Sequence, residues 1–461
     1  MFRIFRHYVP RSLVLLGLAE ILILFVSIYL GATFQLGSTA FGGAERLPLW
    51  SQALVFVAAI VLGMTAMGLY HRDQHTRPSA LILRLALSFV CGFVVMGSVY
   101  LLVPDLMVGG TIFATALICS FVSIASCRLI CVAGDDIDQR QRVLVLGIGE
   151  RARQIDELKR GDNQVGAVVV GFVDLGGDER LVRSDRIFTL GARNLRALAE
   201  DLDVQEIVVA TDDRRKGLPV DDILECKMSG LDIMQAADFH ERQLGKIQLD
   251  ALHPSNVIFA DGFTQAVLRS TEKRVMDIVV SALFLLAALP IMLVTAAAIY
   301  FESGGPVLYR QERVGRRGRV FTLLKFRSMR QDAEANGAVW ALANDMRVTR
   351  VGSFIRKTRI DELPQLINVL KGDMSFVGPR PERPQFVAEL ARAIPYYDLR
   401  HYVKPGITGW AQILYPYGAS VADAREKLQY DLYYLKNYSL FLDINILLQT
   451  IQVILWRKGA R

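Results

Sequence analysis

Four apolar segments, at about 12–33, 50–70, 81–103 and 108–131, occupy most of the first 131 residues. A helix needs about 20 apolar residues to cross a bilayer, so each segment approaches that length. Over the 461-residue chain 52% of the residues are hydrophobic and the mean hydropathy is +0.30, which is more apolar surface than a soluble protein of this size usually needs. We therefore predict a membrane protein of mixed class in which residues 1–135 form a four-helix transmembrane bundle.

Positively charged residues predict the orientation of this bundle. Three arginines lie in the N-terminal stretch MFRIFRHYVPR, and Arg72 and Arg77 lie between the second and third segments. The two remaining loops hold only Arg46 between them. Because cytoplasmic loops of membrane proteins carry an excess of Lys and Arg, both ends of the bundle are predicted to be cytoplasmic.

Residues 141–262 show the pattern of a Rossmann-like α/β domain, with buried strands predicted at RVLVLGI, AVVVGFVD and QEIVVAT. In GIGERA, Gly147, Gly149 and Ala152 match the shortest form of the dinucleotide fingerprint. Asp174 ends the next strand, where a ribose-binding acid would lie. Tight strand-to-helix turns need glycine in any case, so a nucleotide site and a scaffold without cofactor remain alternatives.

A fifth apolar segment, 275–300, begins the C-terminal domain that we predict over 272–461. If this segment crossed the membrane, the following part of the chain would lie outside the cell, yet residues 303–360 contain thirteen Lys and Arg against four Asp and Glu. Such a basic block is typical of the cytoplasmic side. Pro290 removes a backbone hydrogen bond in mid-helix, so a re-entrant helix broken at Pro290 would keep both ends on one side. A kinked spanning helix is the alternative.

Two basic stretches follow this segment. GGPVLYRQERVGRRGRVFTLLKFRSM predicts two short strands around a glycine turn, followed by Lys325, Arg327 and Arg330, and GDMSFVGPRPERP adds Arg380 and Arg383 in a proline-stiffened loop. Fixed guanidinium and ammonium groups suit a phosphate-rich ligand. A stripe that lies on anionic lipid headgroups and an ordinary surface turn are the alternatives.

Between these stretches, RKTRIDELPQLINVLKG places Asp361 and Glu362 side by side. Asp361 fits a helix N-cap and Pro364 fits the first turn, which is ordinary capping. In a functional interpretation, helix N–H groups and neighbouring cations would lower both carboxyl pKa values; these cations are Arg356, Lys357 and Arg359. An ionised pair could bind Mg²⁺, or one carboxylate could attack phosphorus.

The C-terminal stretch LQYDLYYLKNYSLFLDINILLQTIQVIL is aromatic and amphipathic. Its aromatic residues suit the headgroup layer, and the internal Asp431, Lys436 and Asp443 argue against a spanning segment. We predict interfacial helices that lie on the membrane.

KFRSM, RKTRIDELPQLINVLKGDMSFVGPRPERP and KPGITGWAQI, in this order after a hydrophobic helix that contains proline, resemble the bacterial polyprenyl-phosphate sugar-1-phosphate transferases. The resemblance covers about 272–461. The whole layout is similar to the large members of that family, such as the undecaprenyl-phosphate galactose and glucose phosphotransferases that begin exopolysaccharide or O-antigen repeat synthesis. The run LYPYGASVADAREKLQYDLYY departs from the short Asn-Gly-Arg run of many relatives, so the resemblance does not imply a particular sugar.

The resemblance implies transfer of a sugar-1-phosphate from a UDP-sugar to undecaprenyl phosphate, with release of UMP and a requirement for Mg²⁺. Asp361 would form a covalent phospho-sugar intermediate, Glu362 would assist, and both would hold the metal. By the resemblance, Lys325, Arg356 and Arg380 would hold phosphate or uridine. Arg327 and Arg383 are further expected substrate-binding residues, from the two basic stretches. Asp431 is a further expected participant, and the re-entrant helix with Pro290 at its break also agrees with the family.

The expected location is the bacterial inner membrane, with the catalytic domain on the cytoplasmic face. The expected partners are the UDP-sugar, undecaprenyl phosphate and the lipid bilayer; a homodimer is compatible with the sequence, and no nucleic-acid partner is expected. Two other classes share parts of the layout. A membrane-bound NAD-dependent nucleotide-sugar oxidoreductase would need a Tyr-x-x-x-Lys couple, which the chain lacks. A non-catalytic scaffold or regulator of polysaccharide assembly would not need the intact Asp-Glu pair.

Overall fold

The computed structural model forms two compact units, Met1–Ile4 with Tyr8–Leu244 and Phe5–His7 with Gly245–Arg461. Two short strands, β1 (Phe2–Ile4) and β2 (His7–Val9), lie near the N-terminus. The arginines at 6, 46, 72 and 77 that indicate the orientation lie outside the described residues. The structure describes residues 2–4, 7–9, 11–36, 48–70, 78–133, 141–160, 167–176, 178–183, 185–190, 194–212, 218–250, 252, 262–263, 267–330, 347–415, 418 and 420–456.

The first unit begins with four long apolar helices, which confirms the four predicted apolar helices. They are α1 (Arg11–Leu36), α2 (Leu49–Ala66), α3 (Pro78–Leu102) and α4 (Gly110–Ala133). Each is long and apolar enough to cross a membrane. One hydrophobic core holds side chains from all four helices, for example Leu24, Phe56, Phe89 and Ile124.

A buried ion pair joins the first and last of these helices. Arg128 of α4 donates from Nε to Glu20 Oε1 at 2.5 Å, and Tyr70 donates from its hydroxyl to Glu20 Oε2 at 2.6 Å. Charged groups within apolar helices are costly unless they are paired in this way. The pair therefore fixes α1 against α4.

The second part of this unit is a five-stranded parallel sheet in the order β5-β4-β3-β6-β7. This order is that of a doubly wound Rossmann-like sheet, as predicted. The strands are β3 (Gln141–Leu146), β4 (Ala167–Asp174), β5 (Ile187–Thr189), β6 (Glu206–Val209) and β7 (Asp232–Gln235). The helices are α5 (Glu150–Arg160), α6 (Leu195–Asp201), α7 (Val220–Met228) and α8 (Ala236–Leu244).

The second unit begins earlier than the predicted domain boundary. Ile247, Leu249 and Leu252 are buried in the same core cluster as Val377 and Leu432. These apolar side chains lie in a stretch without regular hydrophobic periodicity. The sequence pattern therefore did not indicate which unit they belong to. The division into three domains, 1–135, 141–262 and 272–461, stays a prediction.

The fifth apolar segment is one long helix, α9 (Val267–Ser303), which contains Pro290. Its N-terminal part contacts the rest of the unit: Arg274 donates to the carbonyl oxygens of Val369 and Leu370 at 2.6 and 2.7 Å. Its C-terminal part does so too, since Glu302 accepts hydrogen bonds from the backbone N–H groups of residues 350 and 351 at 2.9 and 3.1 Å. The helix is continuous through Pro290, and the return of the chain to one side of a membrane stays a prediction.

The rest of this unit contains short elements around the acidic pair. An antiparallel hairpin pairs β8 (Leu308–Val314) with β9 (Val320–Phe326), and this hairpin confirms the predicted strands. A parallel pair joins β10 (Ser375–Val377) to β11 (Gly406–Thr408). The short helices are α10 (Arg350–Lys357), α11 (Gln365–Lys371), α12 (Pro384–Ala393) and α13 (Trp410–Leu414).

Two helices end the described chain, α14 (Val421–Lys436) and α15 (Leu440–Trp456). Ser420 begins α14 with a capping box, in which the Ser420 and Asp423 side chains each bond to the other's backbone N–H. The aromatic residues of α14 do not all suit a headgroup layer as predicted, because Tyr433 and Tyr434 are each only 1% exposed. They pack into the protein core, so this face of α14 serves folding rather than lipid contact.

Candidate active site

Asp361 and Glu362 lie in a single 3-10 turn, Ile360–Glu362, between α10 and α11. Arg359 precedes this turn in the left-handed region, with φ 61°. The predicted N-cap role of Asp361 is wrong: Pro364 stands at the N-cap of α11, and no side chain caps that helix. The extra turn separates the acids from the helix end, so the Asp361 carboxylate is not used for capping.

Glu362 is surrounded by three cations. Its Oε1 atom lies 3.2 Å from Arg380 Nη2, 3.4 Å from Lys325 Nζ and 3.5 Å from Arg359 Nη1. Burial alone would raise the pKa of this carboxyl group, but the three positive charges outweigh burial and lower the pKa to about 2. Glu362 is therefore ionised throughout the neutral range, and it fixes the positions of these cations.

Asp361 is in the opposite electrostatic situation, although it is the next residue. Its side chain is buried, and Oδ1 has no hydrogen-bond partner among the described residues. Burial and the negative charge of Glu362 raise the pKa of Asp361, against the lowering effect of Lys325 and Arg359. The prediction that neighbouring cations lower both carboxyl pKa values is thus right for Glu362 and wrong for Asp361. A buried carboxylate oxygen without a partner is available to an incoming cation or phosphorus atom.

Lys325 reaches the acids from the hairpin. In the register of β8 and β9, Lys325 lies opposite Tyr309, and strand alternation places Arg313 on the same face as Tyr309. Burial and the nearby Arg380 and Arg313 lower the pKa of Lys325, and the two acids oppose this effect. The neighbouring positive charges thus disfavour the charged form of Lys325. A bound anion would stabilise that form.

The proline-stiffened loop in GDMSFVGPRPERP, which we call the Pro-Arg loop, adds the remaining cations. Arg380 contacts Glu362, and Arg383 precedes α12. Both lower the pKa of Arg313, for which burial is the largest cause. Arg356 of α10 donates from Nε to Ser328 Oγ at 2.8 Å and lies close enough to Asp361 to lower its pKa.

Sequence reasoning did not single out Arg313 as a site residue. Arg313 Nη1 donates to the carbonyl oxygen of Pro381 at 2.9 Å, so it holds the loop that carries Arg380. The alternation of β8 could have indicated it, because Arg313 is four residues along the strand from the partner of Lys325.

Two predicted substrate-binding residues face other partners. Arg327 is buried and donates from Nη2 to the Ser303 hydroxyl and carbonyl oxygens, at 3.1 and 3.2 Å, and to the carbonyl of Gly304, so it closes the end of α9. Asp431 is 2% exposed and pairs with Arg400 at 2.8 Å. Burial raises the pKa of Asp431, and Arg400 opposes this effect.

Arg400 connects Asp431 to the site indirectly. Its guanidinium group donates to Asp431, to the Tyr397 hydroxyl at 2.6 Å and to the carbonyl oxygen of Arg380 at 3.1 Å. Arg400 thus links Asp431 to the backbone of the loop that carries Arg380. Sequence reasoning did not single out Arg400, because its partners Arg380 and Asp431 are 20 and 31 residues away in the chain.

Comparison with known proteins shows the family of the unit that carries this site. Residues 268–457 match the family model described as bacterial sugar transferase. A relative from Bacillus subtilis (strain 168), named putative undecaprenyl-phosphate N-acetylgalactosaminyl 1-phosphate transferase, is 57% identical over 128 residues, which are 28% of this chain and 72% of the relative. The chain belongs to the bacterial sugar transferase family.

Two longer relatives of this chain have substrates in their names. One, from Aeromonas hydrophila, is named UDP-N-acetylgalactosamine-undecaprenyl-phosphate N-acetylgalactosaminephosphotransferase and is 45% identical over 239 residues, 52% of this chain and 56% of the relative. The other, from Xanthomonas campestris pv. campestris, is named UDP-glucose:undecaprenyl-phosphate glucose-1-phosphate transferase and is 44% identical over 191 residues, 41% of this chain and 40% of the relative. The matches thus span about half of these relatives or less.

The acids of this site fit a magnesium ion in part. Among the described residues, no three His, Cys, Asp or Glu side chains come together as a metal cage. Mg²⁺ is commonly held by one or two carboxylates together with substrate phosphates. Asp361 Oδ1 can supply one oxygen ligand, whereas Glu362 Oε1 already faces three cations. The residues therefore suit an ion that arrives with a diphosphate and contacts Asp361.

The dinucleotide fingerprint of the α/β domain is occupied by the side chain of Asp212. Asp212 accepts hydrogen bonds from the N–H groups of Glu150 and Arg151 at the N-terminus of α5, at 2.7 and 3.1 Å. A bound pyrophosphate would use these same N–H groups. Gly149 leaves room for the Asp212 carboxylate, and Asp174 accepts from the N–H of residue 176 in its own turn at 2.7 Å. This geometry favours the scaffold alternative over a nucleotide site.

Proposed function

We propose that this protein transfers a sugar-1-phosphate from a UDP-sugar to undecaprenyl phosphate on the cytoplasmic face of the bacterial inner membrane, and that UMP leaves. This reaction would be the first step of exopolysaccharide or O-antigen repeat synthesis. Support comes from family membership and from the substrates in the names of the relatives. The observation that carries the proposal is the open Oδ1 of Asp361 beside a Glu362 carboxylate that holds three cations.

In the first step, an Asp361 oxygen attacks the phosphorus that bears the sugar. The new bond is an acyl phosphate, the bond to the bridging oxygen breaks, and that oxygen leaves with UMP. Phosphoryl transfer depends mainly on position and charge neutralisation. Lys325 and Arg380, which Glu362 holds in place, are suited to neutralise the equatorial phosphate oxygens and the leaving group.

In the second step, a phosphate oxygen of undecaprenyl phosphate attacks the same phosphorus. The acyl–oxygen bond to phosphorus breaks, Asp361 returns as a carboxylate, and the product is a lipid-linked diphosphate sugar. A covalent intermediate lets a water-soluble donor and a lipid acceptor use one carboxylate in turn. This explains why a site on a membrane surface would use a nucleophile rather than a complex of both substrates.

A magnesium ion bound with the donor would supply positive charge to the diphosphate and would lower the raised pKa of Asp361. The protein's own part is to present Asp361 in a buried place from which most water is excluded. Because burial raises the pKa of Asp361, the carboxylate is a stronger nucleophile than an ordinary surface aspartate once it is ionised.

The re-entrant helix is part of the proposal. Arg274 and Glu302, near the two ends of α9, both bond to the second unit. A straight helix between them would be about 42 Å long, more than the hydrocarbon core of about 30 Å. A unit on one side of the membrane could bond to both ends only if the helix enters and leaves on that side. The exposed apolar side chains of α9 suit lipid contact; they include Ile278, Leu283, Leu286, Leu289, Leu293, Val294 and Phe301.

The test of the reaction uses Asp361→Asn in the full-length protein, purified in detergent with Mg²⁺, undecaprenyl phosphate and a panel of UDP-sugars. We expect wild type to release UMP with one or two of the sugars and Asp361→Asn to lose at least about a thousandfold in rate, because the amide cannot serve as the nucleophile. Without acceptor, a donor labelled in the sugar-bearing phosphate should label the wild-type protein and not the variant.

Glu389→Gln is the matched control, since Glu389 is an exposed acid on α12. It should keep the wild-type rate and the label. Full activity of Asp361→Asn would contradict the covalent mechanism. Release of no UMP from any nucleotide sugar would instead favour a scaffold role.

A further inference from the structure

Residues 245–250 and 252, which follow α8, belong to the C-terminal unit and form no helix or strand. We call this segment the strap. Three of its apolar side chains are buried in the main core of that unit: Ile247, Leu249 and Leu252. The strap lies before residue 268, where the match to the family begins, so neither the match nor the motifs assign it a role.

Gly245 attaches the strap to α13. Its carbonyl oxygen accepts a hydrogen bond from Trp410 Nε1 at 2.7 Å. Its φ is 63°, in the left-handed region, and an added Cβ atom would lie 3.1 Å from Trp410 Cζ2. The backbone conformation and the close indole ring both favour glycine here. The strap therefore begins with a contact that fixes the position of the Trp410 ring.

The next two residues attach the strap to α14. Lys246 Nζ forms an ion pair with Glu426, and the two side chains are only 18% and 26% exposed, so solvent screens this pair less than a surface pair. The backbone N–H of Ile247 donates to the carbonyl oxygen of Gln429 at 3.1 Å. The strap thus contacts the part of α14 that comes directly before Asp431.

Both attachment points lead to the Pro-Arg loop. Trp410 comes two residues after the end of β11, whose last carbonyl oxygen accepts a hydrogen bond from the N–H of residue 378 at 2.9 Å. On α14, Asp431 pairs with Arg400, which donates to the carbonyl oxygen of Arg380. The loop is therefore bonded on two sides to groups whose elements the strap contacts.

We propose that the strap positions Arg380 for the transfer reaction, because it holds both elements that lead to the Pro-Arg loop. The inference rests on the proposed function, in which Arg380 neutralises charge on the donor. The buried apolar side chains of the strap add stability alone. Its hydrogen bonds and its ion pair are directional, so they also fix where Trp410 and α14 lie. Gly245 and Lys246 act through these elements and are positioning residues rather than catalytic ones.

The test reverses the charges of one strap contact in the full-length protein. Lys246→Glu places a second negative charge beside Glu426, and the double variant Lys246→Glu/Glu426→Lys restores opposite charges. We expect Lys246→Glu to lower kcat/KM for the UDP-sugar about tenfold, because a small displacement of a group that neutralises charge is costly. The double variant and Lys246→Arg should each stay within about twofold of wild type. All variants are assayed at a temperature where thermal unfolding shows that they are folded.

Lys227→Glu is the matched control, because it makes the same charge reversal at an exposed lysine of the other unit. It should keep the wild-type kcat/KM. Hydrogen–deuterium exchange adds a readout without turnover. The N–H of residue 378, which bonds to β11, should exchange faster in Lys246→Glu and at the wild-type rate in the double variant.

A wild-type kcat/KM in folded Lys246→Glu would overturn the proposal, whatever its thermal stability, because the strap would then only stabilise the unit. So would a loss of kcat/KM that the double variant does not restore, or one that leaves the exchange at residue 378 unchanged. If wild type releases no UMP from any nucleotide sugar, the proposed function fails. The exchange at residue 378 alone then decides whether the strap holds the Pro-Arg loop.

Discussion

Asp361 and Glu362 are neighbours in the chain but have opposite pKa shifts. Glu362 has three cations within 3.5 Å of one oxygen, which lower its pKa to about 2, whereas burial and Glu362 itself raise the pKa of Asp361. The pKa values of two adjacent carboxyl groups move apart in this way when nearby cations neutralise only one of the two charges. In the proposed mechanism, Glu362 therefore holds the cations and Asp361 is the nucleophile.

The pH dependence of label transfer tests this division. Asp361 must be ionised to attack, and its raised pKa means that the rate falls, as the pH is lowered, earlier than for an ordinary aspartate. In Glu362→Gln the neighbouring negative charge is absent, so we expect the acid limb of the rate profile to move to lower pH by about one unit. The measurement is the rate of covalent labelling of the protein without acceptor, because undecaprenyl phosphate also titrates in this range.

Glu389→Gln should leave the acid limb where it is in wild type. An unmoved limb in Glu362→Gln would show that Glu362 does not control the ionisation of Asp361. The maximum rate of Glu362→Gln is expected to fall as well, because Lys325 and Arg380 lose the carboxylate that holds them.

At the scale of elements, the Pro-Arg loop is linked to α14, a helix that lies far from it in the chain. Asp431 lies on α14 and pairs with Arg400, which in turn donates to the carbonyl oxygen of Arg380. Removal of one partner of such a buried ion pair strongly destabilises the folded protein, since the other charge stays buried without a counterion. The element that carries Arg380 therefore depends on the fold of the C-terminal helices.

Asp431→Asn should lower the free energy of unfolding by about 3 kcal/mol, because Arg400 stays buried without its counterion. Its effect on kcat/KM for the donor should be much smaller than that of Asp361→Asn, since Arg400 keeps its bonds to Tyr397 and Arg380. Denaturant unfolding in detergent and UMP release measure the two quantities.

Asp398→Asn is the control, because Asp398 is 75% exposed and its removal should change stability by less than about 0.5 kcal/mol. If Asp431→Asn kept wild-type stability and abolished donor binding, Asp431 would be a substrate ligand, as the family resemblance implies, and the positioning role would be wrong.

At the scale of the whole molecule, five described helices are long and apolar enough to cross a membrane. Four of them share one core, and the fifth, α9, bonds at both ends to the second unit. The proposed topology therefore has an even number of crossings before the α/β domain and none after it. Both soluble parts would then lie in the cytoplasm, where UDP-sugars are available.

Single cysteines test this topology in a variant without the native cysteines. Arg319→Cys, in the exposed turn between β8 and β9, should react with a membrane-impermeant thiol reagent only after the inner membrane is opened. Met107→Cys, between α3 and α4, is 58% exposed and should react from outside in intact cells. Labelling of Arg319→Cys from outside would mean that α9 crosses the membrane.

Local patterns in the sequence predicted the classes of element and the family. The apolar lengths predicted the four N-terminal helices, the buried apolar strands predicted the α/β domain, the alternation predicted the hairpin, and the ordered motifs around Asp361 indicated the family, because each of these signals is local in the chain. Which polar groups meet is a property of the tertiary fold. It separated the pKa values of Asp361 and Glu362, moved Arg327 and Asp431 to structural partners, and placed Asp212 in the fingerprint of the α/β domain. Burial and charge pairing depend on residues far apart in the chain, and no local pattern records them.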